Sequence, residues 1–226
     1  MRLIDDFMPR AKKRLSLLLN PIRRRIYEIV CESPGIHFYK IVSELATSQG
    51  TLDWHVRQLE KDGLLNSSKF GGKRIFYPRM LSSLESAKAF AALRSDTAKE
   101  IFRNVINTPG MNQQELANAV GVHHDTVRYH LTRFEKVGLV DRFRDGREVR
   151  VFIGELGQLL VDGSLEVVSE HFVSFLLKKL EEGCLTPIIL SQDTDHVSLR
   201  VDCPDGENFE IKINLDSWNF HQPDET

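Results

Sequence analysis

The sequence is poor in what membrane, secreted and catalytic proteins require. No apolar run in its 226 residues approaches the ~20 that a membrane-spanning helix needs. Met1 to Asn20 sets Arg10, Lys12, Lys13 and Arg14 beside Leu15, Leu17, Leu18 and Leu19. Its acidic pair Asp5–Asp6 and its lack of a small-residue cleavage site argue against a secretory signal. Cysteine is scarce. Cys31, Cys184 and Cys203 are far apart and odd in number, which predicts buried or free thiols in a reducing cytoplasm and not a disulfide frame. No Gly-rich phosphate loop, Ser/His/Asp arrangement or pair of carboxylates at a recognisable pocket can be picked out; catalytic groups can be scattered, so the expectation of neither an enzyme activity nor a cofactor rests more on the repeated modules described below. With 41% apolar and 27% charged residues, the rest is ordinary globular composition, and the length suits one large domain or two to three small ones.

The formal net charge of −2 conceals an uneven distribution. Residues 1–155 hold 26 Lys and Arg against 18 Asp and Glu, a balance of +8, while residues 156–226 hold 4 against 14, a balance of −10. A basic front joined to an acidic back suggests that the front meets a polyanion, although charge also varies among solvated faces.

Shifting the sequence by 75 positions aligns residues 24–77 with 99–152 without a gap. Ile26 falls on Ile101, Val30 on Val105, Pro34-Gly35 on Pro109-Gly110, Thr51 on Thr126 and His55 on His130. Glu60-Lys61 falls on Glu135-Lys136 and Gly63-Leu64 on Gly138-Leu139, while apolar character matches at Tyr27/Phe102, Leu52/Val127, Trp54/Tyr129, Val56/Leu131 and Leu59/Phe134. Two copies of one small domain are present.

Each copy spells the same elements. A first helix, Pro21–Glu32 or Thr97–Asn107, carries apolar residues at helical spacing and stops at Ser-Pro-Gly or Thr-Pro-Gly. A short second helix follows, Phe38–Leu45 or Asn112–Val120, and then a third, Ser48–Asp62 or His123–Val137, with Gly63 or Gly138 where a left-handed cap is wanted. Two strands close the unit: Leu64–Lys69 with Lys73–Tyr77, and Leu139–Arg144 with Glu148–Ile153, joined by Gly71-Gly72 and by Asp145-Gly146-Arg147. Three helices and a two-stranded ribbon make a winged helix-turn-helix.

In the third helices, Leu52, Val56 and Leu59, and Val127, Leu131 and Phe134, form the inward stripe. The opposite face then presents Gln49, Gly50, Asp53, Trp54, Arg57 and Lys61 in one copy, and His124, Asp125, Arg128, Tyr129, Thr132, Arg133 and Lys136 in the other. A helix of this kind fits the major groove of B-DNA. Arginines such as Arg57, Arg128 and Arg133 suit guanine, Gln49 suits adenine, and Asp53 or Asp125 can accept from cytosine. Ser48 is a candidate N-cap beside backbone amides that can take a phosphate. Thr51, His123 and Thr126 complete the expected recognition-helix set. The ribbons add Lys69, Lys73 and Arg74, and Arg142, Arg144, Arg147 and Arg150, as candidate contacts to phosphate or a narrow minor groove, although cations on sheet edges also serve simply to block aggregation.

The strings running from Thr51 to Leu64 (TLDWHVRQLEKDGL) and from Thr126 to Leu139 (TVRYHLTRFEKVGL) resemble the recognition-helix signature of ArsR/MarR-type winged-helix regulators. The paired arrangement is similar to archaeal predicted regulators with two such domains in one chain. The resemblance covers about residues 20–155 and implies binding to double-stranded DNA. Winged helices also bind RNA or proteins, so the motif speaks more for the fold than for the target. Metal sensing in ArsR-type proteins uses clustered cysteines, and Cys31 has no such companion. His123 and His124 open a helix as neighbours that should point apart. No metal site is expected. His55 and His130 border the inward stripe and read as structural.

Met80–Leu93 reads as a connecting helix with Leu81, Leu84, Ala87 and Ala91 on its apolar stripe, fixing the spacing between copies or dimerising. Beyond residue 156 the repeat is not continued. Ser164 is a candidate cap for a helix to about Glu182, rich in Leu165, Val168, Phe172, Val173, Phe175, Leu176, Leu177 and Leu180. Strands at Ile188–Leu190, Val197–Asp202 and Phe209–Asn214 follow, the last two joined by Pro204-Asp205-Gly206-Glu207.

The expectation is an α+β chain, mainly α. Its parts are a basic N-terminal segment (1–20), winged helix-turn-helix one (21–80), a connecting helix (81–94), winged helix-turn-helix two (95–155), and an acidic C-terminal helix-and-β-hairpin domain (156–226) for dimerisation or sensing. The expected function is a cytoplasmic, sequence-specific double-stranded DNA-binding transcription regulator, a homodimer with a small-molecule or protein effector at its C-terminal domain. The rival readings are a protein-interaction scaffold and an RNA or single-strand binder.

Overall fold

The computed structural model describes residues 18–80, 84–162, 165–193, 195–204 and 206–215. The basic stretch Arg10–Arg14, Leu81, Ser164 and Asp205 lie outside them, as do the side chains of Leu84, Leu165 and Val168. The chain forms two compact units. Residues 18–80 and 165–215 belong to one, and residues 84–162 to the other.

The first unit opens with α1 (Pro21–Glu32), begun by Pro21 and by the Asn20 side chain, which accepts from Arg23 N–H at 3.1 Å. Then come β1 (Ile36–His37), α2 (Phe38–Leu45), α3 (Gln49–Lys61), β2 (Leu65–Phe70) and β3 (Lys73–Pro78). Ser48 caps α3 by accepting from Thr51 N–H at 3.1 Å. The strands make an antiparallel sheet in the order β1-β3-β2, pairing Ile36 with Phe76 and Ser67 with Phe76 on its other side. The sequence pattern did not anticipate β1, because two residues are too few for an alternation to show. Ile26, Tyr27, Val30, Leu52, Val56, Leu59, Ile75 and Phe76 fill the core.

The second unit repeats this plan. It comprises α4 (Leu84–Ala92), α5 (Asp96–Asn107), α6 (Gln113–Val120), α7 (His124–Lys136), β4 (Val140–Asp145), β5 (Glu148–Ile153) and α8 (Glu155–Asp162). Asn112 and Glu115 close a capping box at the start of α6. An isolated bridge between Asn112 and Arg150 stands where the first unit has β1. Ile101, Phe102, Val105, Val127, Leu131 and Phe134 are buried at the positions the repeat assigns them. Each large apolar side chain so placed contributes about 1.5–3 kcal/mol. Connecting helix α4 packs against α7 and α8, with Ala87 and Ala91 buried. Gly63 and Gly138 both take the left-handed conformation just past the third helices, as their position demands.

The stretch expected as one C-terminal domain is shared out. Helix α8 lies with the second copy, whereas α9 (Leu165–Glu182), β6 (Thr186–Gln192), β7 (His196–Asp202) and β8 (Asn208–Asn214) join the first. These strands are the three the sequence indicated, the first longer than expected, and they form an antiparallel sheet in sequence order with a bulge between Ile189 and Ser191. Strand β8 lies against α1. There the Arg24 guanidinium sits 4.5 Å from the centre of the Phe209 ring, and the Glu28 carboxylate accepts the Lys212 N–H. Burial still raises the Glu28 pKa above the usual carboxylate value, outweighing Arg25 beside it.

Candidate nucleic-acid interface

The third helices turn their apolar stripes inward, so their polar faces are presented to solvent. Gln49, Thr51, Trp54 and Arg57 are exposed on α3, and His124, Asp125, Arg128 and Tyr129 on α7. The Arg57 and Arg128 side chains are 71% and 63% accessible. Trp54 and Tyr129, which align in the repeat, are each 55% accessible. Ser48 and His123, the N-caps, are exposed at the helix starts, while Thr126 is half-buried.

The two faces differ in charge. In the first copy Asp53 accepts from Arg57 Nε at 2.7 Å and from Arg74 Nη1 at 3.0 Å. Arg74 also donates to Glu60 at 2.8 Å and to Ser67 at 3.2 Å, and its guanidinium lies 4.7 Å from the centre of the Phe76 ring. Recognition helix and wing are thus clamped together through one wing arginine. In the second copy the repeat puts Arg128 where Asp53 stands and Val149 where Arg74 stands. The clamp is rebuilt from the other strand, with Arg142 donating to Glu135. That hydrogen bond, more than charge alone, holds the Glu135 pKa below its usual value and raises that of Arg142. Arg128 pairs at 2.6 Å with Asp125 on its own helix.

Of the wing cations, Lys69, Lys73, Arg144 and Arg147 are exposed. Arg74, Arg142 and Arg150 are half-buried with carboxylate partners, Arg150 reaching Glu148 at 2.6 Å and Glu115 at 3.3 Å. Arg133 donates to the Tyr129 hydroxyl and, at 3.4 Å, to the Ala91 carbonyl. These internal ties were not anticipated. The one signal for them was Glu60 and Glu135 recurring at the same place in the repeat.

His55 and His130 are buried, each ring edge-on to its aromatic neighbour: 4.8 Å from Trp54 and 5.2 Å from Tyr129. Their Nδ1 atoms have no hydrogen-bond partner among the described residues. Burial lowers both pKa values, helped by Arg23 near His55 and Arg133 near His130.

His123, His124 and Asp125 do not point apart as adjacent helical residues would. Their ligand atoms lie within 4.8 Å of one another, because His123 is an N-cap with extended backbone and not a helical residue. Arg128 on the carboxylate and the positive end of α7 both oppose a cation there.

Residues 20–88 match a family model described as an N-terminal HTH domain, and residues 94–141 one described as winged helix-turn-helix DNA-binding. The chain is 32% identical over 139 residues to a protein of Methanocaldococcus jannaschii named as an uncharacterized HTH-type transcriptional regulator, an alignment covering 62% of this chain and 35% of that protein. The chain therefore spans about a third of that relative's length. Among solved structures, an ArsR-like transcriptional regulator from Rhodococcus matches at 25% identity with a TM-score of 0.36, over 43% of this chain and 91% of that one. The homodimeric winged helix-turn-helix DNA-binding domain of a possible ArsR-family regulator from Mycobacterium bovis matches at 19% identity and 0.33, over 40% and 83%. Among the described residues no helix is long and apolar enough to cross a membrane.

Proposed function

For a chain that carries two helix-turn-helix domains in tandem and is homologous to an archaeal HTH-type transcriptional regulator, we propose sequence-specific binding of double-stranded DNA in the control of transcription. The observation that carries this reading is the exposed polar face of both third helices, with Arg57 and Arg128 open to solvent above buried stripes. The helices enter the major groove by their N-terminal halves, and Lys69, Lys73, Arg144 and Arg147 meet phosphates from the wings. Gln49, Thr51, Trp54, Arg57, His124, Asp125, Thr126, Arg128 and Tyr129 face the bases, with Ser48 and His123 capping the approach. Arg133 orients Tyr129. Asp53, Arg74, Arg142 and Arg150 hold the wings in position, the role their ion pairs support.

The modules share the work unequally. Each exposed arginine pairs with a carboxylate of its own helix, Arg57 with Asp53 and Arg128 with Asp125, but Arg128 takes the place of Asp53 one turn nearer the helix start, so the second module carries more of the sequence selectivity. The edge strand β6, with Ile189 and Leu190 exposed, supports a homodimer formed through residues 165–215.

Selection from a random duplex pool, followed by mobility shifts at several salt concentrations, tests the reading. A specific site should stand well above background, with a steep salt slope. Arg128→Ala should relax base preference at one position, costing about 1–3 kcal/mol, whereas Arg144→Ala with Arg147→Ala should weaken all duplexes alike. A salt-independent response without an enriched site sinks the proposal in favour of a protein scaffold.

A further inference from the structure

A cavity of about 420 Å3 opens within the first unit, lined by Lys61, Asp62 and Gly63 at the end of α3, Arg79 after β3, and Phe175, Lys178, Lys179 and Glu182 on α9. Four of these eight residues are cations and two are acids. Among the described residues Lys61, Arg79 and Lys178 have no ion-pair partner; Lys179 pairs with Glu182 at 2.7 Å. Lysines in the last turn of a helix are ordinarily explained by the negative end of its dipole. That accounts for Lys61 and for Lys179, though not for Lys178, and does not require two helix ends and an arginine to converge. Residues 165–215 hold only four cations against ten acids, and two of the four line this cavity. Four cations against two acids leave an excess of positive charge at this mouth, and an anion there would relieve their repulsion. Gly63 leaves room for the arginine: a Cβ there would stand 2.9 Å from Arg79 Nη1. Phe175 gives the cavity one flat apolar wall, with Lys179 Nζ 6.0 Å from its ring centre.

We infer that this cavity binds a small organic phosphate, a dianion with a flat apolar body. Arg79 grips the phosphoryl oxygens with its fork of donors, Lys61 and Lys178 supply charge, and Phe175 takes the ring. The volume lies in the usual range for small-molecule sites. Occupancy ties α9 to the end of recognition helix α3, so the ligand stiffens the joint between the acidic segment and the first module. The site stands whether or not the chain reads DNA, since its occupation is measured directly.

Calorimetric titration of the full chain with adenosine monophosphate at low ionic strength is the test, with inorganic phosphate, adenosine and a random duplex as separate arms. The nucleotide should bind with a submillimolar Kd, phosphate more weakly and adenosine not at all. Lys178→Ala should weaken the nucleotide at least tenfold, and Arg79→Ala likewise, while Arg200→Ala, an equal loss of charge on β7, should leave it unchanged. No heat with the nucleotide at millimolar concentration, or equal weakening by Arg200→Ala, overturns the inference. Displacement of the nucleotide by the random duplex also overturns it, because the cavity would then be a seat for backbone phosphate.

Discussion

Arg74 and Arg57 reach the same carboxylate of Asp53 from different elements, and their replacement by methionine separates a structural arginine from a reading one. Arg74 is 34% accessible and makes charged hydrogen bonds to Asp53 and Glu60, which are themselves only 31% and 25% accessible. Removing it takes one charged donor from each of two partly desolvated carboxylates, 21 and 14 positions away in the chain, leaving Asp53 with Arg57 and Glu60 with the Ser67 hydroxyl. A hydrogen bond to a charged group is worth about 1.5–3 kcal/mol when sheltered. An exposed ion pair is worth about 0.2–1 kcal/mol. Two half-sheltered pairs fall between, so Arg74→Met should cost about 2 kcal/mol. Methionine keeps an unbranched apolar chain of similar length but gives up the guanidinium over the Phe76 ring. At about 4 °C per kcal/mol, the melting midpoint drops by about 8 °C. Arg57 is an exposed i,i+4 partner of Asp53, and Arg57→Met should cost under about 0.5 kcal/mol. Differential scanning calorimetry of both variants decides the matter, and 0.5 M salt should narrow the gap between them. An Arg74→Met midpoint within 2 °C of the parent, or equal losses in both variants, would refute the clamp.

Two further consequences concern stability alone. His55 and His130 are held below their ordinary value of 6.5 when folded, so in the window beneath 6.5 the unfolded chain binds more protons. Their contribution is complete above 6.5 and is lost as pH falls toward the folded values; the midpoint should decline between pH 7 and 5, and the double variant with leucine at both positions should flatten that decline. Gly157→Ala sets two effects against each other inside α8: alanine gains about 1 kcal/mol of helix propensity, but its Cβ would stand 2.3 Å from the Leu139 carbonyl oxygen. Overpacking of that kind costs about 1–3 kcal/mol, so urea denaturation should show a net loss, and a gain would count against the close approach.

Much of the fold was legible because the repeat doubles every local signal. An apolar i, i+4, i+7 stripe at Leu52, Val56 and Leu59 is weak alone, and the same stripe at Val127, Leu131 and Phe134 makes it firm. Caps and turns are local as well, which is why Ser48 and the paired glycines could be placed. What stayed hidden depends on long-range partners. Nothing in the string around Phe209 says that it meets Arg24, and nothing near Arg74 names Asp53. A wing arginine bound for phosphate and one bound for a neighbouring carboxylate look alike in one dimension. His123 was misjudged for a related reason: a cap residue has extended backbone, and helical spacing does not apply to it.

The threading of the chain through its two units bears on how the molecule is made. Arg24 and Phe209 lie 185 positions apart, with residues 84–162 of the second unit between them. At translation rates of about 5–20 residues per second, the nascent α1 waits on the order of ten to forty seconds for β8 to leave the ribosome. The described part of the second unit, residues 84–162, is one continuous stretch and can fold during that interval. The unit that begins first must therefore wait for strands made after residues 84–162, and a chain that ends at residue 162 has a leading helix with one flank bare.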